Sequence, residues 1–185
     1  EREFQRALEL SPSNSQAASN YGSLLAGLGR PREALRQLEA AARLDPYSID
    51  TLIALGRVLQ DVGRPHDGLK SLLRVLEIDP ARADAHGLIG ALFARSYGRL
   101  DLGLPWLERA ASLDPGNVPA LRWLMTLNWD LGRLEEARRW RLERQRRFDG
   151  KIDGWTLLIA VAEADPAAAA ELARQALVVD PHDEG

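Results

Sequence analysis

The sequence predicts an all-α chain, an α-solenoid of antiparallel helix-turn-helix repeats, and three recurring markers predict it. The first is a closing proline. Leu10-Ser11-Pro12, Leu44-Asp45-Pro46, Ile78-Asp79-Pro80 and Leu113-Asp114-Pro115 end alike, and their prolines lie 34, 34 and 35 residues apart. Val179-Asp180-Pro181 follows 66 residues later, two units of 33. The second marker is a Gly-Arg pair in the same phase: Gly29-Arg30, Gly63-Arg64, Gly98-Arg99 and Gly132-Arg133. The third is a mid-segment glycine at Gly22, Gly56 and Gly90. A fixed period of this length signals a repeat architecture.

Each marker has a conformational reason. Glycine takes the left-handed conformation that ends a helix without a steric cost, so the Gly-Arg pairs are expected helix stops. Pro31 and Pro65 follow two residues later, where a helix begins and a missing N–H costs nothing. Pro46, Pro80 and Pro115 cannot continue a helix and close each repeat. Glycine in mid-helix costs about 1 kcal/mol against alanine. Its recurrence at 22, 56 and 90 therefore needs a recurring cause, which is close approach of the two helices of a repeat.

Apolar spacing gives the same picture. Ala34, Leu35, Leu38, Ala41, Ala42 and Leu44 recur at helical intervals, as do Leu69, Leu72, Val75, Leu76 and Ile78. A unit of about 34 residues is too small to bury a stable core alone, so neighbours must stack.

Composition narrows the function classes. A net charge of -3 supplies no field to recruit nucleic acid or an anionic membrane surface. Without cysteine there is no disulfide and no thiolate metal site. No apolar run approaches the ~18–20 residues of a membrane span. The compartment stays open between cytoplasm and periplasm.

The chain resembles the tetratricopeptide repeat family. Tyr21-Gly22, Leu55-Gly56 and Ile89-Gly90, the Gly-Arg turns, Glu33-Ala34 and Glu136-Ala137, and the Asp-Pro close carry the resemblance. It implies a right-handed solenoid. Residues 1–12 read as the second helix of a truncated repeat. Residues 13–46, 47–80, 81–115 and 116–149 read as repeats, and 150–185 as a degenerate one with the start of a following segment. Beginning in mid-repeat, the sequence reads as a piece of a longer array of bacterial type.

Three departures are expected to matter. The third repeat has one extra residue near Ser96-Tyr97, which should lengthen its loop or tighten its helix end. Pro105 falls within that repeat's second helix, and a late helix start near Gly103-Leu104 would accommodate it. In the fourth repeat Arg141 replaces the leucine of positions 38, 72 and 107. Either Trp140 and Leu142 rotate over the seam there, or the interface is looser.

The resemblance also implies a binding face, because in this family the first helices of successive repeats line a concave groove for peptides or partner helices. Matching positions give Gln16, Ser19, Asn20 and Ser23 in the first full repeat, and Asp50, Ile53, Arg57 and Asp61 in the second. The third contributes Asp84, Leu88 and Arg95. The fourth contributes Arg122, Trp123, Thr126, Trp129 and Asp130, and the degenerate repeat Asp153, Leu157 and Glu163. Trp123 and Trp129 stand out, since tryptophan is enriched at binding hot spots. Trp106, Trp140 and Trp155 align with seam positions and read as core.

Nothing in the sequence assembles chemistry. His66, His86 and His182 lack metal-ligand spacing, and no catalytic residue, metal or cofactor is expected. Gly27-Leu28-Gly29-Arg30 is a helix-ending turn, not a phosphate loop. The basic run Arg138–Arg147 is interleaved with glutamates, with Glu135–Arg139 and Glu143–Arg147 as expected i,i+4 pairs, and reads as a solvated face. The expected function is a protein-interaction scaffold that binds a peptide or partner helix. No nucleic acid and no membrane span enter this reading, while self-association through exposed repeat ends remains compatible with it. The alternative is a substrate-recruiting or regulatory arm of a larger enzyme or polysaccharide-export protein.

Overall fold

The computed structural model describes residues 1–147. Among the described residues all regular structure is helical: α1 (Arg2–Leu10), α2 (Ser15–Gly27), α3 (Pro31–Leu44), α4 (Ile49–Asp61), α5 (Pro65–Ile78), α6 (Ala83–Tyr97), α7 (Leu100–Leu113), α8 (Val118–Asp130) and α9 (Leu134–Arg147). The chain divides into two compact units, Glu1–Pro115 and Gly116–Gly185. The degenerate repeat, with Asp153, Trp155, Leu157, Glu163 and His182, lies outside the described residues.

The markers form the turns for which their chemistry suits them. Gly29, Gly63, Gly98 and Gly132 all have positive φ, between 63° and 79°. After Gly29 the Arg30 amide returns to the carbonyl of Leu25, and Arg64 and Arg133 return likewise to Leu59 and Asn128. These bonds close the helix end as a Schellman turn. In the third repeat Arg99 returns to Phe93, six residues back instead of five. The extra residue thus widens the closing loop, and α6 runs directly into Gly98. Pro31 and Pro65 open α3 and α5.

The Asp-Pro close has its own hydrogen bond. Asp45 Oδ1 accepts from the Tyr47 amide at 3.1 Å, and Asp79 Oδ1 from the Ala81 amide at 3.0 Å. Each aspartate so orders the turn into the next repeat. Asn14, Ser48 and Asn117 then cap α2, α4 and α8 by accepting the amide three residues on. Arg82 stands at the equivalent position before α6 and makes no such cap.

In the first unit, α2 packs on α3, α4 on α5 and α6 on α7, while α3 meets α4 and α5 meets α6 across repeats. The mid-helix glycines sit at the tightest crossings. A β-carbon on Gly22, Gly56 or Gly90 would stand 2.6–2.8 Å from the Cγ of Leu38, Leu72 or Leu107. Close approach is therefore the reason for these glycines. The core is continuous from repeat to repeat. Tyr21, Leu25 and Leu38 join Leu55, Val58 and Leu59; Leu52 and Val75 join Ala85; Leu72 joins Ile89 and Leu92, with half-buried Trp106 against them. Leu44 departs from the expected apolar face: it is exposed at the end of α3.

Pro105 corrects the sequence reading. The helix does not start late; α7 begins at Leu100 and runs through Pro105. The proline lies in the second turn on the exposed side, and Asp101, whose carbonyl would accept its missing N–H, is exposed as well. That carbonyl can turn to water. Buried Leu104 and Leu107 on the opposite side hold the helix against α6.

In the second unit α8 packs on α9. Ala120, Leu121, Leu124, Met125 and Leu127 are buried on α8, and Ala137 on α9. Leu142 is exposed and Arg141 half-buried. Leu142 therefore does not rotate into the seam, and the expected cover by Trp140 and Leu142 is not formed. Trp140 is half-buried, with the Arg139 guanidinium over its ring, 5.5 Å from the ring centre.

Candidate functional site

Within the first unit the first helices approach one another directly, α2 to α4 and α4 to α6, whereas α3 and α5 meet the next repeat through its first helix. The first helices thus share one face of this unit. Along it one row of positions on each helix falls at spacings of four, three and four. On α2 these are Gln16, Asn20, Ser23 and Gly27, all exposed. On α4 they are Asp50, Ala54, Arg57 and Asp61, of which only Ala54 is half-buried. On α6 they are Asp84, Leu88, Ala91 and Arg95, grading from half-buried Asp84 and Leu88 through buried Ala91 to exposed Arg95.

Two expected members lie elsewhere. Ser19 is buried, not groove-lining: its hydroxyl accepts from Thr51 Oγ1 at 3.0 Å between α2 and α4. Ser48 Oγ lies 2.9 Å from the same Thr51 oxygen. Ile53 is half-buried against the core of Leu52, Val75 and Ala85. Both stand one residue off the exposed stripe, and one residue is about 100° of helix.

Charge on this face is organised by a residue the sequence reading did not single out. Arg82 Nε donates to Asp84 Oδ1 at 2.9 Å, and its Nη2 lies 3.6 Å from Asp50 Oδ1. The hydrogen bond to Asp84 raises the Arg82 pKa above its ordinary value, against a smaller opposing effect of burial. One guanidinium therefore serves aspartates from two successive repeats. A signal for it existed in the sequence: the 34-residue register puts Arg82 where Asn14, Ser48 and Asn117 cap their helices. Nearby, Gln16 Nε2 donates to Asn20 Oδ1 at 2.9 Å.

In the second unit α8 carries the same spacing at Pro119, Trp123, Thr126 and Asp130. Arg122 and Asp130 are exposed, while Trp123, Thr126 and Trp129 are half-buried. Neither indole is consumed by the core. Thr126 Oγ1 donates to the Arg122 carbonyl at 3.0 Å, and buried Asn128 satisfies its amide on the Leu124 carbonyl at 2.8 Å.

The basic helix α9 differs from its expected pairing. Arg139 pairs with Glu136 at 3.3 Å, not with Glu135, and the side chain of Arg147 lies outside the described set. Arg138, Arg139 and Arg146 line an open depression together with Glu135, Glu143 and Leu142. Mixed charge makes it a poor phosphate site. Among the described residues no cluster of three His, Asp or Glu side chains is placed to hold a metal, and no helix is long and apolar enough to cross a membrane.

The repeated helix pairs with shared cores define a helical-repeat solenoid. A family model described as tetratricopeptide repeat matches residues 25–92. Residues 25–92 thus match the tetratricopeptide repeat, and the turns and glycines on either side keep the same register. No curated protein sequence matches the chain. Among solved structures it is similar to PilW, a widely conserved type IV pilus biogenesis factor, at 23% identity, covering 98% of this chain and 84% of that one with a TM-score of 0.84. It is also similar to PilF of Pseudomonas aeruginosa, at 17% identity, 97% and 82% coverage and a TM-score of 0.77. A third is YrrB, described as a TPR protein with an unusual peptide-binding site, at 19% identity, 97% and 93% coverage and a TM-score of 0.63. At these identities the likeness is one of fold.

Proposed function

We propose that the chain is a protein-interaction scaffold that takes an extended peptide or a partner helix on the exposed faces of its first helices. The observation that carries this reading is the stripe itself. Asn20, Asp50, Arg57, Asp61, Asp84 and Arg95 in the first unit, and Arg122, Trp123, Thr126, Trp129 and Asp130 in the second, are all exposed or half-buried. Each sits opposite a buried face that already holds the repeat together. The described residues gather no metal-ligand cluster that would suggest a different chemistry. The peptide-binding site named for YrrB, a protein of similar fold, supports this reading. Trp123 and Trp129 are the anchors of the second unit, because a partly open indole offers large apolar area and a free N–H.

The test uses fluorescein-labelled octapeptide libraries and the full chain. Trp123→Ala with Trp129→Ala should weaken binding about tenfold or more, the loss expected when hot-spot tryptophans are truncated. Undiminished binding by the double variant, with helical content retained, would remove the α8 face from the site.

A further inference from the structure

We infer that the exposed face of α8 docks an amphipathic helix of a partner protein that carries one acidic and one basic residue two turns apart, the acid on Arg122 and the base on Asp130, with apolar side chains between them against Trp123 and Trp129. The inference rests on the first-helix faces being binding sites and adds the secondary structure and charge pattern of the ligand.

Arg122, Thr126 and Asp130 stand four residues apart on α8 and so form one row along it, about 12 Å long at a rise of about 1.5 Å per residue. Trp123 precedes Thr126 by three residues and Trp129 follows it by three. The two indoles therefore flank the row, each about 60° round the helix from Thr126. Arg122 and Asp130 are exposed, and both indoles are half-buried. None of these four side chains has a hydrogen bond, ion pair or ring contact among the described residues.

The two ends of the row carry opposite charge. A ligand with two acids would meet Asp130 with like charge, and one with two bases would meet Arg122 so. Only an acid and a base at that spacing answer both ends. On a helix, positions seven apart share a face and lie about 10.5 Å apart, within reach of the two ends. Apolar residues three and four along from the first charge then point between the indoles, the usual anchors of a docked helix.

Two observations favour a helix over an extended segment. The backbone of α8 is bonded within its own helix, and Thr126 Oγ1 already donates to the Arg122 carbonyl at 3.0 Å. The row thus offers an incoming extended backbone few partners, whereas a helix brings its backbone already paired. The chain also packs helices on this side of its other first helices. At the position aligned with Arg122, Ser19 of α2 meets Thr51 of α4, and at the position aligned with Trp129, Gln60 of α4 meets Ser96 of α6.

The experiment uses the full chain and three fluorescein-labelled, N-acetylated, C-amidated alanine–leucine helical peptides of matched helicity, read by fluorescence anisotropy. They differ only at two positions seven residues apart: Glu with Lys, Glu with Glu, or Lys with Lys. The Glu/Lys peptide should bind about fivefold tighter than either other at low salt, with the preference shrinking as salt rises. Arg122→Glu should turn the preference to Lys/Lys, and Asp130→Lys to Glu/Glu, with circular dichroism unchanged in both. Trp123→Ala with Trp129→Ala should weaken all three peptides alike. Equal binding of the three peptides, or a preference that neither charge variant moves, overturns the inference and leaves the α8 site standing. Octapeptides that bind through the tryptophans while no helical peptide binds overturn it as well, assigning the face to an extended ligand. Failure of both kinds of peptide would remove the binding site and this inference together.

Discussion

Gly68 on α5 faces the backbone of Gly56 on α4: a β-carbon on Gly68 would stand 2.7 Å from the Gly56 carbonyl oxygen. The aligned position in the first repeat is Ala34, which is tolerated there. Helix propensity alone predicts that Gly68→Ala stabilises by about 1 kcal/mol. The contact is with backbone, which cannot swing aside as a side chain can. Overpacking of this kind costs about 1–3 kcal/mol. Gly68→Ala should therefore lower the urea midpoint. A raised midpoint would show that the α4–α5 crossing is looser than described.

Thr51 and Ser19 form a buried hydroxyl pair between repeats. Thr51→Val keeps the shape and removes the donor, leaving the Ser19 oxygen short of a partner, while Ser48 keeps the backbone amide of residue 51. A buried group so stranded costs about 1–3 kcal/mol, whereas removing both partners is close to neutral. The double variant Ser19→Ala, Thr51→Val should consequently be less destabilised than the sum of the single ones. Additive losses in chemical denaturation would mean that the pair is not coupled.

The turn arginines make stability depend on acidity. Arg30 holds the Glu33 carboxyl below its ordinary value by hydrogen bonding, and Arg99 does the same for Asp101. Glu1 is lowered first by the Tyr21 hydroxyl and then by Arg30. A carboxyl with a lowered folded pKa takes up its proton first in the unfolded chain. The stabilisation is thus complete above the ordinary values of 4.5 for glutamate and 3.8 for aspartate, and is lost as pH falls through the lower folded values. Glu1 and Asp101 are exposed and Glu33 is only half-buried, so the effect is small and screened by salt. Melting curves should show the loss below pH 4.5 at low salt, and Arg30→Gln should flatten it.

The repeat was legible because its signals are local. A positive-φ glycine, a helix-starting proline and an Asp-Pro turn each act within a few residues, and Gly29, Gly63, Gly98 and Gly132 adopt the expected backbone. The exposed stripe was legible for Asn20, Arg57 and Arg95, because helical periodicity decides which side of a helix faces the core. It failed at Ser19 and Ile53, where one residue of offset turns a side chain into the neighbouring helix. Pro105 was misread because a local penalty was weighed without the packing of Leu104 and Leu107 that overrides it. Arg82 was passed over because its partners lie on two helices, and Asp50 is brought to it only by stacking.

The central claim is that ligands sit on the first-helix stripe. Amide chemical-shift mapping with the best-binding octapeptide tests it most directly. The account predicts the largest shifts at Asn20, Ala54, Arg57, Leu88 and Arg95, with α3 and α5 nearly unmoved. Shifts confined to α3 and α5 would contradict it.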